Sequence, residues 1–431
     1  MSFVQAVTSE ELAAVRRELH RHAESGFSEF WTTAFLAQRL SVAGCAVRVG
    51  EDVIAREARF GVPAPQVQEA RLAAARAQGA DAAWLERMGG LTGLIVDIRP
   101  GLPLLTALRF DIDAVDVAES LSPEHGPARE DFHSLNEGHS HACGHDGHAA
   151  IGFGTALELM RRRDSLRHNV RLIFEPAEEG LRGASAMVDA GTVQGARYFF
   201  SAHIGVNARR PHELVCGTEG FLASTKFDVE FFGRAAHAGA EPHAGHDSVL
   251  AASSAVLALH AIPRHGEGET RIAVGRIEGG TGRNVIASYA KLVCETRGSS
   301  TAVNDWMFEQ ACRIIEHTAA MYGQDFRITR MGGGGAAVSD ADVCEVVRQA
   351  ALSIPYFHPE LIRIMGRGYG ADDACTFLEA VQTQGGTGAY AQIGSHLPAG
   401  HHSPDFDFDE ALLLPAVELF CRVALELDAR A

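Results

Sequence analysis

Three short, largely apolar runs, Leu104 to Phe110, Val170 to Phe174 and Tyr198 to Ala202, each stop at a residue that can ligate a metal or carry a proton: Asp111, Glu175 and His203. Continuous rather than alternating hydrophobicity marks strands covered on both faces, and helical stretches such as Ile151 to Arg163 separate them. The order predicts α/β layering around a parallel sheet. Ligands bind beyond the carboxyl ends of such strands, so Asp111, Asp113, Glu175, Glu178, Glu179 and His203 are expected on one rim. His401 and His402, after the run Tyr390 to Ile393, join them.

Elsewhere the pattern changes. Thr8 with Glu11 has capping-box form, and Leu12, Val15 and Leu19 recur at helical spacing, as do residues of Phe30 to Leu40. Gln66 to Arg87, just after Pro65, reads as a helical insertion with a solvated face. From Phe221 to about Arg330 the reading is strand (Ser224 to Phe232), helix (Ser248 to Ile262), two strands (Thr270 to Ile277, Tyr289 to Thr296), helix (Val303 to Met321) and strand (Asp325 to Met331). That is the order of a ferredoxin-like α+β unit inserted into the larger domain. Gly332 to Gly335 reads as a flexible joint back to the first domain, which Ser339 to Ala431 completes.

Composition excludes several classes. With 46% hydrophobic and 22% charged residues over 431 positions, the chain has material for two or three globular domains. The net charge of -17, with dispersed basic residues of which only Lys226 and Lys291 are lysines, argues against nucleic acid and anionic membranes as partners. Lys226 reads as a strand-surface position. No apolar run reaches the roughly 18 residues of a membrane span, and residues 1–25 lack a signal-peptide pattern, so a soluble, cytoplasmic protein is expected. The eight cysteines lack paired spacing, so reduced thiols are expected; only Cys143 lies among other ligand types.

The segment His141-Ala-Cys-Gly-His-Asp-Gly-His148 concentrates three imidazoles and one thiol in eight residues. Imidazole and thiolate suit Zn, Mn, Fe or Ni. A solvated His-rich loop is the bland alternative, and convergence of the rim residues favours metal over it. Glu178 and Glu179 are adjacent, and hydrolysis by a metal needs one carboxylate on the ion and another to move a proton. If both are extended, their side chains point in different directions; the competing reading is an acidic helix N-terminus.

Arg17-Glu-Leu-His-Arg-His, Leu108-Arg-Phe-Asp-Ile-Asp-Ala, the His141 to His148 motif, Glu175-Pro-Ala-Glu-Glu-Gly, Ala235-Ala-His-Ala-Gly, Arg283-Asn-Val-Ile and His402-Ser-Pro-Asp-Phe occur in this order. Together they resemble the aminoacylase and glutamate carboxypeptidase family of metallopeptidases, in its N-acyl amino acid amidohydrolase branch. The resemblance spans roughly residues 10–425. It implies a zinc-peptidase-like α/β catalytic domain (residues 1–220 and 332–431) with a ferredoxin-like satellite domain (221–331) used for dimerisation. It also implies two divalent ions per subunit, Mn2+ first and Zn2+ as the alternative. The implied ligands are Cys143 as shared thiolate, His145, Glu179, His203 and His402, with Glu178 as general base. Asp113 would orient a ligand histidine. His237 would stabilise an oxyanion in a partner's active site, and Asn284 and Arg297 would hold a substrate carboxylate. The implied substrate is a small N-acyl amino acid, first of all p-aminobenzoyl-glutamate, and the implied assembly is a homodimer, with a related second subunit left open. Asp372-Asp373 and Ala371 depart from the usual Glu-Asp and Ser, a difference expected to bear on the substrate pocket.

Three rival readings remain. The same centre suits hippurate-like or indole conjugates. His22-Ala-Glu24 has the form of a nucleobase deaminase motif, but no Pro-Cys-x-x-Cys follows. A catalytically silent regulatory subunit would have no need of Glu178.

Overall fold

In a computed structural model, which describes residues 6–368 and 370–431, the chain divides into two compact units. One comprises residues 6–220, Ala337–Gly368 and Asp372–Ala431; the other comprises Phe221–Ala336 with residues 370–371.

The first unit is built on an eight-stranded sheet. Its order is Ala46–Val49, Leu94–Asp97, Asn169–Glu175, Leu104–Asp111, Tyr198–Ile204, Thr387–Ile393, Leu214–Val215, Ile362–Arg363. The four strands from Asn169–Glu175 to Thr387–Ile393 are parallel, and Tyr198–Ile204 is buried at every position. Both faces are covered, as the unbroken apolar runs require. On one face Phe110 and Phe200 each place their rings 4.7 Å from Phe420 in helix Leu413–Arg430; on the other Phe199 stacks 5.9 Å from Phe377 in helix Ala374–Thr383. From Leu104–Asp111 the chain crosses to Asn169–Glu175 on one side, then to Tyr198–Ile204 on the other. Such a reversal opens a crevice at the strand ends, where Asp111 pairs in register with Glu175.

The insertion forms two helices, Pro65–Ala77 and Ala82–Met88. Pro65 opens the first, and Asp81 caps the second by accepting from the N–H groups of Ala83 and Trp84.

The second unit has an antiparallel sheet in the order Asp325–Gly334, Ala223–Phe232, Tyr289–Gly298, Thr270–Gly279, with helices Ser248–His260 and Thr301–Met321 packed on it. This is the ferredoxin-like arrangement. Alternation in Ala223–Phe232 buries Phe227, Val229 and Phe231 against Ala255 and Ile315.

Gly332 to Gly335 is not the joint expected from its composition. Gly332, Gly333 and Gly334 pair with Lys226, Thr225 and Ser224, beyond a bulge after Arg330. A Cβ on Gly333 would sit 2.9 Å from the Ser224 carbonyl oxygen, so glycine here permits close strand approach rather than flexibility. Among the described residues no helix is long and apolar enough to cross a membrane.

Candidate metal centre

Helix His145–Arg161 begins inside the histidine motif, earlier than the sequence pattern suggests. Gly144 takes the left-handed conformation (φ 91°) that turns the chain there, leaving Cys143 just outside and His145 and His148 in the first turn. The two rings lie on one face of that turn, 5.4 Å apart, with different environments. His148 accepts the Ile204 N–H at Nε2 (2.9 Å) and donates from Nδ1 to Asp111 Oδ1 (2.5 Å), which uses both nitrogens. His145 turns Nδ1 to the Asp113 carbonyl oxygen (3.0 Å) and Oδ1 (3.2 Å), whereas its buried Nε2 has no hydrogen-bond partner. Around that nitrogen stand Asp111 Oδ2 at 3.8 Å and Glu178 Oε2 and Glu179 Oε1 at 3.9 Å each.

His203, at the end of its strand, donates from Nδ1 to the Ile204 carbonyl (2.8 Å) and brings Nε2 to 3.5 Å from Cys143 Sγ. His402 arrives from the C-terminal segment in a left-handed conformation (φ 63°), its N–H bonded to the Ala142 carbonyl (2.7 Å) and its Nε2 3.1 Å from Glu179 Oε1. Asp113 ties these pieces together, because its Oδ2 accepts the Glu179 N–H at 3.1 Å.

Beside the groups Asp111–His145–His148 and His145–Glu178–Glu179, two donor sets result, Cys143–His145–His203 and Cys143–Glu179–His402, each with its ligating atoms within 4.8 Å of one another. They share Cys143. Imidazoles locked at Nδ1 with Nε2 turned inward are the usual disposition of metal-binding histidines. Electrostatics points the same way. Burial and the Glu179, Glu178 and Asp111 carboxylates push the Cys143 thiol well up, and burial with Asp372, Glu179 and Asp373 raises Glu178. Burial opposes a charge on His145, yet Asp111 and Asp113 hold it protonated up to about 10. Crowded acids, a thiol and an imidazole whose outer proton occupies a ligand position are the charge pattern that divalent cations relieve, so these residues fit a two-metal centre.

Behind the rim lies a buried ionic hub that sequence reading missed. Arg109 donates from Nη1 to Asp111 (2.7 Å), from Nη2 to Asp373 (3.2 Å) and from Nε to Glu175. Its signal was an arginine within the apolar run Leu104 to Phe110. Asp372 and Asp373 are buried against Glu178, with carboxylate oxygens within 4.8 Å of one another, and Tyr390 Oη donates to Asp372 at 2.5 Å. The departure at 372–373 therefore bears on the surroundings of Glu178.

Glu178 and Glu179 are not extended. They form a single 3-10 turn, Glu178–Gly180, bounded by left-handed Ala177 and Leu181. Successive side chains of such a turn diverge by roughly 120°, so the two carboxylates still take different directions.

In the second unit, His237 and Asn284 come together: His237 bridges to Val285, and the Ala238 N–H donates to the Asn284 carbonyl at 3.1 Å. His237 Nδ1 accepts from the N–H groups of Gly239 (3.1 Å) and Ala240 (3.0 Å), which leaves the neutral ring's proton on exposed Nε2. Arg297 sits in Tyr289–Gly298 and gives its fork to Glu295, at 2.5 and 3.1 Å.

Residues 107–426 match the profile of Peptidase family M20/M25/M40. The chain is 41% identical over 417 residues, covering 96% of it and 95% of the relative, to one of the subunits of p-aminobenzoyl-glutamate hydrolase from Escherichia coli. It is 42% identical, with the same coverage, to indole-3-acetyl-aspartic acid hydrolase of Enterobacter agglomerans. The crystal structure of an aminobenzoyl-glutamate utilization protein from Klebsiella pneumoniae superposes with a TM-score of 0.82 at 36% identity, over 97% of this chain and 96% of that one.

Proposed function

The chain belongs to peptidase family M20/M25/M40, and from that premise we propose that it hydrolyses the amide of N-acyl amino acids, with p-aminobenzoyl-glutamate as substrate and p-aminobenzoate and glutamate as products. The carrying observation is a pair of donor sets sharing Cys143, beside a glutamate, Glu178, that belongs to neither.

Cys143, His145, Glu179, His203 and His402 would hold two divalent ions, Mn2+ or Zn2+. When bound, such ions lower the pKa of water from about 15.7 towards about 7 and polarise the scissile carbonyl. Glu178, raised by burial and its acidic neighbours, takes the proton of the attacking water and passes it to the leaving nitrogen. Asp113 holds His145 through Nδ1 and Glu179 through its N–H. Nε2–H of His237, fixed by the two backbone donors on Nδ1, gives a hydrogen bond to the oxyanion in the partner subunit of a homodimer. Asn284 lies beside it for a substrate carboxylate, and Arg297 serves the same end where substrate displaces Glu295. The protein works in the cytoplasm as a homodimer.

The test is metal analysis of protein purified without chelator, paired with glutamate release from p-aminobenzoyl-glutamate. Two equivalents of metal and glutamate release support the reading; metal-free protein or an uncut amide overturns it. The resemblance to an indole-3-acetyl-aspartic acid hydrolase favours a second substrate, the indole conjugate of aspartate, and a side-by-side comparison of kcat/KM ranks the two.

A further inference from the structure

Arg59, in the segment that leads into the insertion, and Arg182, just past the Glu178–Gly180 turn, lie against the same buried ring. Their guanidinium carbons are 5.4 and 5.7 Å from the centroid of Phe27, which is wholly buried. Arg182 donates from Nη1 to the Gly61 carbonyl (2.9 Å), which anchors it to the segment carrying Arg59; Arg59 donates from Nε to the Arg56 carbonyl (3.3 Å). Among the described residues neither guanidinium has an ion pair, and Arg182 Nε is buried with no hydrogen-bond partner. Both side chains are half-buried. Burial and neighbouring Arg56 lower the Arg59 pKa from its ordinary value, and the carboxylates of Glu57 and Glu29 offset this only in part. Two unpaired, half-buried arginines are an unfavourable arrangement in a chain of net charge -17, where carboxylates abound.

The floor of this spot is tied to the segment that carries the candidate base. Glu29 Oε1 accepts both the Phe27 N–H (3.0 Å) and the Ala177 N–H (2.8 Å), and Ala177 precedes Glu178. Phe27, Ala177 and Leu181 all have left-handed backbones (φ 61°, 59° and 56°), a strain that persists where surrounding structure enforces it and that clusters at functional sites. A Cβ at Gly26 or Gly180 would fall 2.1 Å from Arg182 Nη2 and 2.0 Å from its Nε, so the Arg182 side chain lies close over both glycines.

We propose that Arg59 and Arg182 form a subsite for the side-chain carboxylate of an acidic N-acyl amino acid, so that this arginine pair selects glutamyl and aspartyl conjugates over neutral ones. The proposal rests on the amidohydrolase reading above. The γ-carboxylate of glutamate reaches about 5 Å from the scissile nitrogen, so the group that binds it stands apart from the residues that act on the amide. A planar fork matches a carboxylate through two hydrogen bonds, and the apolar floor of Phe27 strengthens them by excluding water.

The experiment compares p-aminobenzoyl-glutamate with p-aminobenzoyl-glutamine, equal in shape but without the second charge, on metal-loaded wild type, Arg59→Gln and Arg59→Lys. Wild type should prefer the glutamate conjugate. Arg59→Gln should lower that preference about 10- to 100-fold, chiefly through KM, as expected for losing a charged hydrogen bond, and Arg59→Lys should recover part of it. Equal falls for both conjugates, or an unchanged ratio, overturn the subsite. Arg182→Gln, checked for fold by circular dichroism, should act in the same direction. Calorimetric binding of glutarate against butyrate reads the subsite without catalysis: a wild type that cuts neither conjugate but binds glutarate through Arg59 fails the amidohydrolase reading and keeps the subsite, whereas equal binding of the two acids overturns it.

Discussion

His402 Nε2 lies 3.1 Å from Glu179 Oε1, a meeting of residues 223 positions apart that brings the C-terminal segment to the turn carrying both glutamates. Cys143 Sγ stands with this pair on one side and with His145 and His203 on the other. Replacing His402 by Ala removes one donor from one set only. Metal content measured by elemental analysis should fall from two equivalents per chain towards one, and retention of both ions would take His402 out of the ligand set.

Glu178→Gln keeps the shape of the side chain and removes its capacity to carry a proton. Turnover on p-aminobenzoyl-glutamate should drop by about 10²–10⁴ while metal content stays at the wild-type value. An equal loss of metal would make Glu178 a ligand instead of a base.

For His237→Ala, on an exposed loop of the second unit, native circular dichroism and full metal content are expected, with turnover lower by roughly 10²–10³. A wild-type rate would remove His237 from the reaction.

Arg16 is buried between Asp146 (2.6 Å), Asp407 (2.7 Å) and Glu410 (3.2 Å), and Asp146 has no solvent exposure. Arg16→Met leaves Asp146 buried with His20 as its remaining close cation. A loss of about 3–5 kcal/mol is expected from denaturant unfolding, because the stranded charge costs more than the pair contributes. A loss under about 1 kcal/mol would mean that the cluster relaxes or takes up a proton.

His20 sets an alkaline limit on stability. Burial opposes its charge, but hydrogen bonds to Asp146 Oδ2 (2.8 Å) and Glu119 Oε1 (2.7 Å) outweigh both burial and nearby Arg16, and raise its pKa from 6.5 to about 9. His141 beside it is held neutral, at about 3, by burial, and His125 shares Glu119. A raised histidine stabilises fully below about pH 6.5, and the contribution is lost as pH rises through about 9. Glu119, lowered to about 2 against burial by His125 and His20, contributes above about 4.5 and loses its effect as pH falls towards 2. Denaturation midpoints against pH should show both limbs, and His20→Gln should flatten the alkaline one; an unchanged alkaline limb would assign it to other groups.

Much of the architecture was legible because buried parallel strands need continuous apolar runs, and the runs ending at Asp111, Glu175 and His203 could be read as one rim. The second unit was equally plain, since Ala223–Phe232 alternates with period two. Gly332 to Gly334 misled, because local composition carries no information about the partner strand that pairs with them. Arg109 and the Asp372–Asp373 pair escaped for a related reason: nothing near them in the chain shows that Glu175 and the distant Asp372–Asp373 pair join Asp111 around one guanidinium.

The sequence alone determined the residue chemistry, a thiol, imidazoles and paired carboxylates at strand ends, together with the layering that places strand ends on one side. Only the tertiary structure decided which nitrogen of each histidine is free. His148 and His145 lie in the same helical turn, yet the Ile204 N–H takes Nε2 of the first and leaves that of the second unpartnered. Hydrogen bonds over distances of a few ångströms make that distinction, and they depend on contacts between segments that the linear order keeps apart.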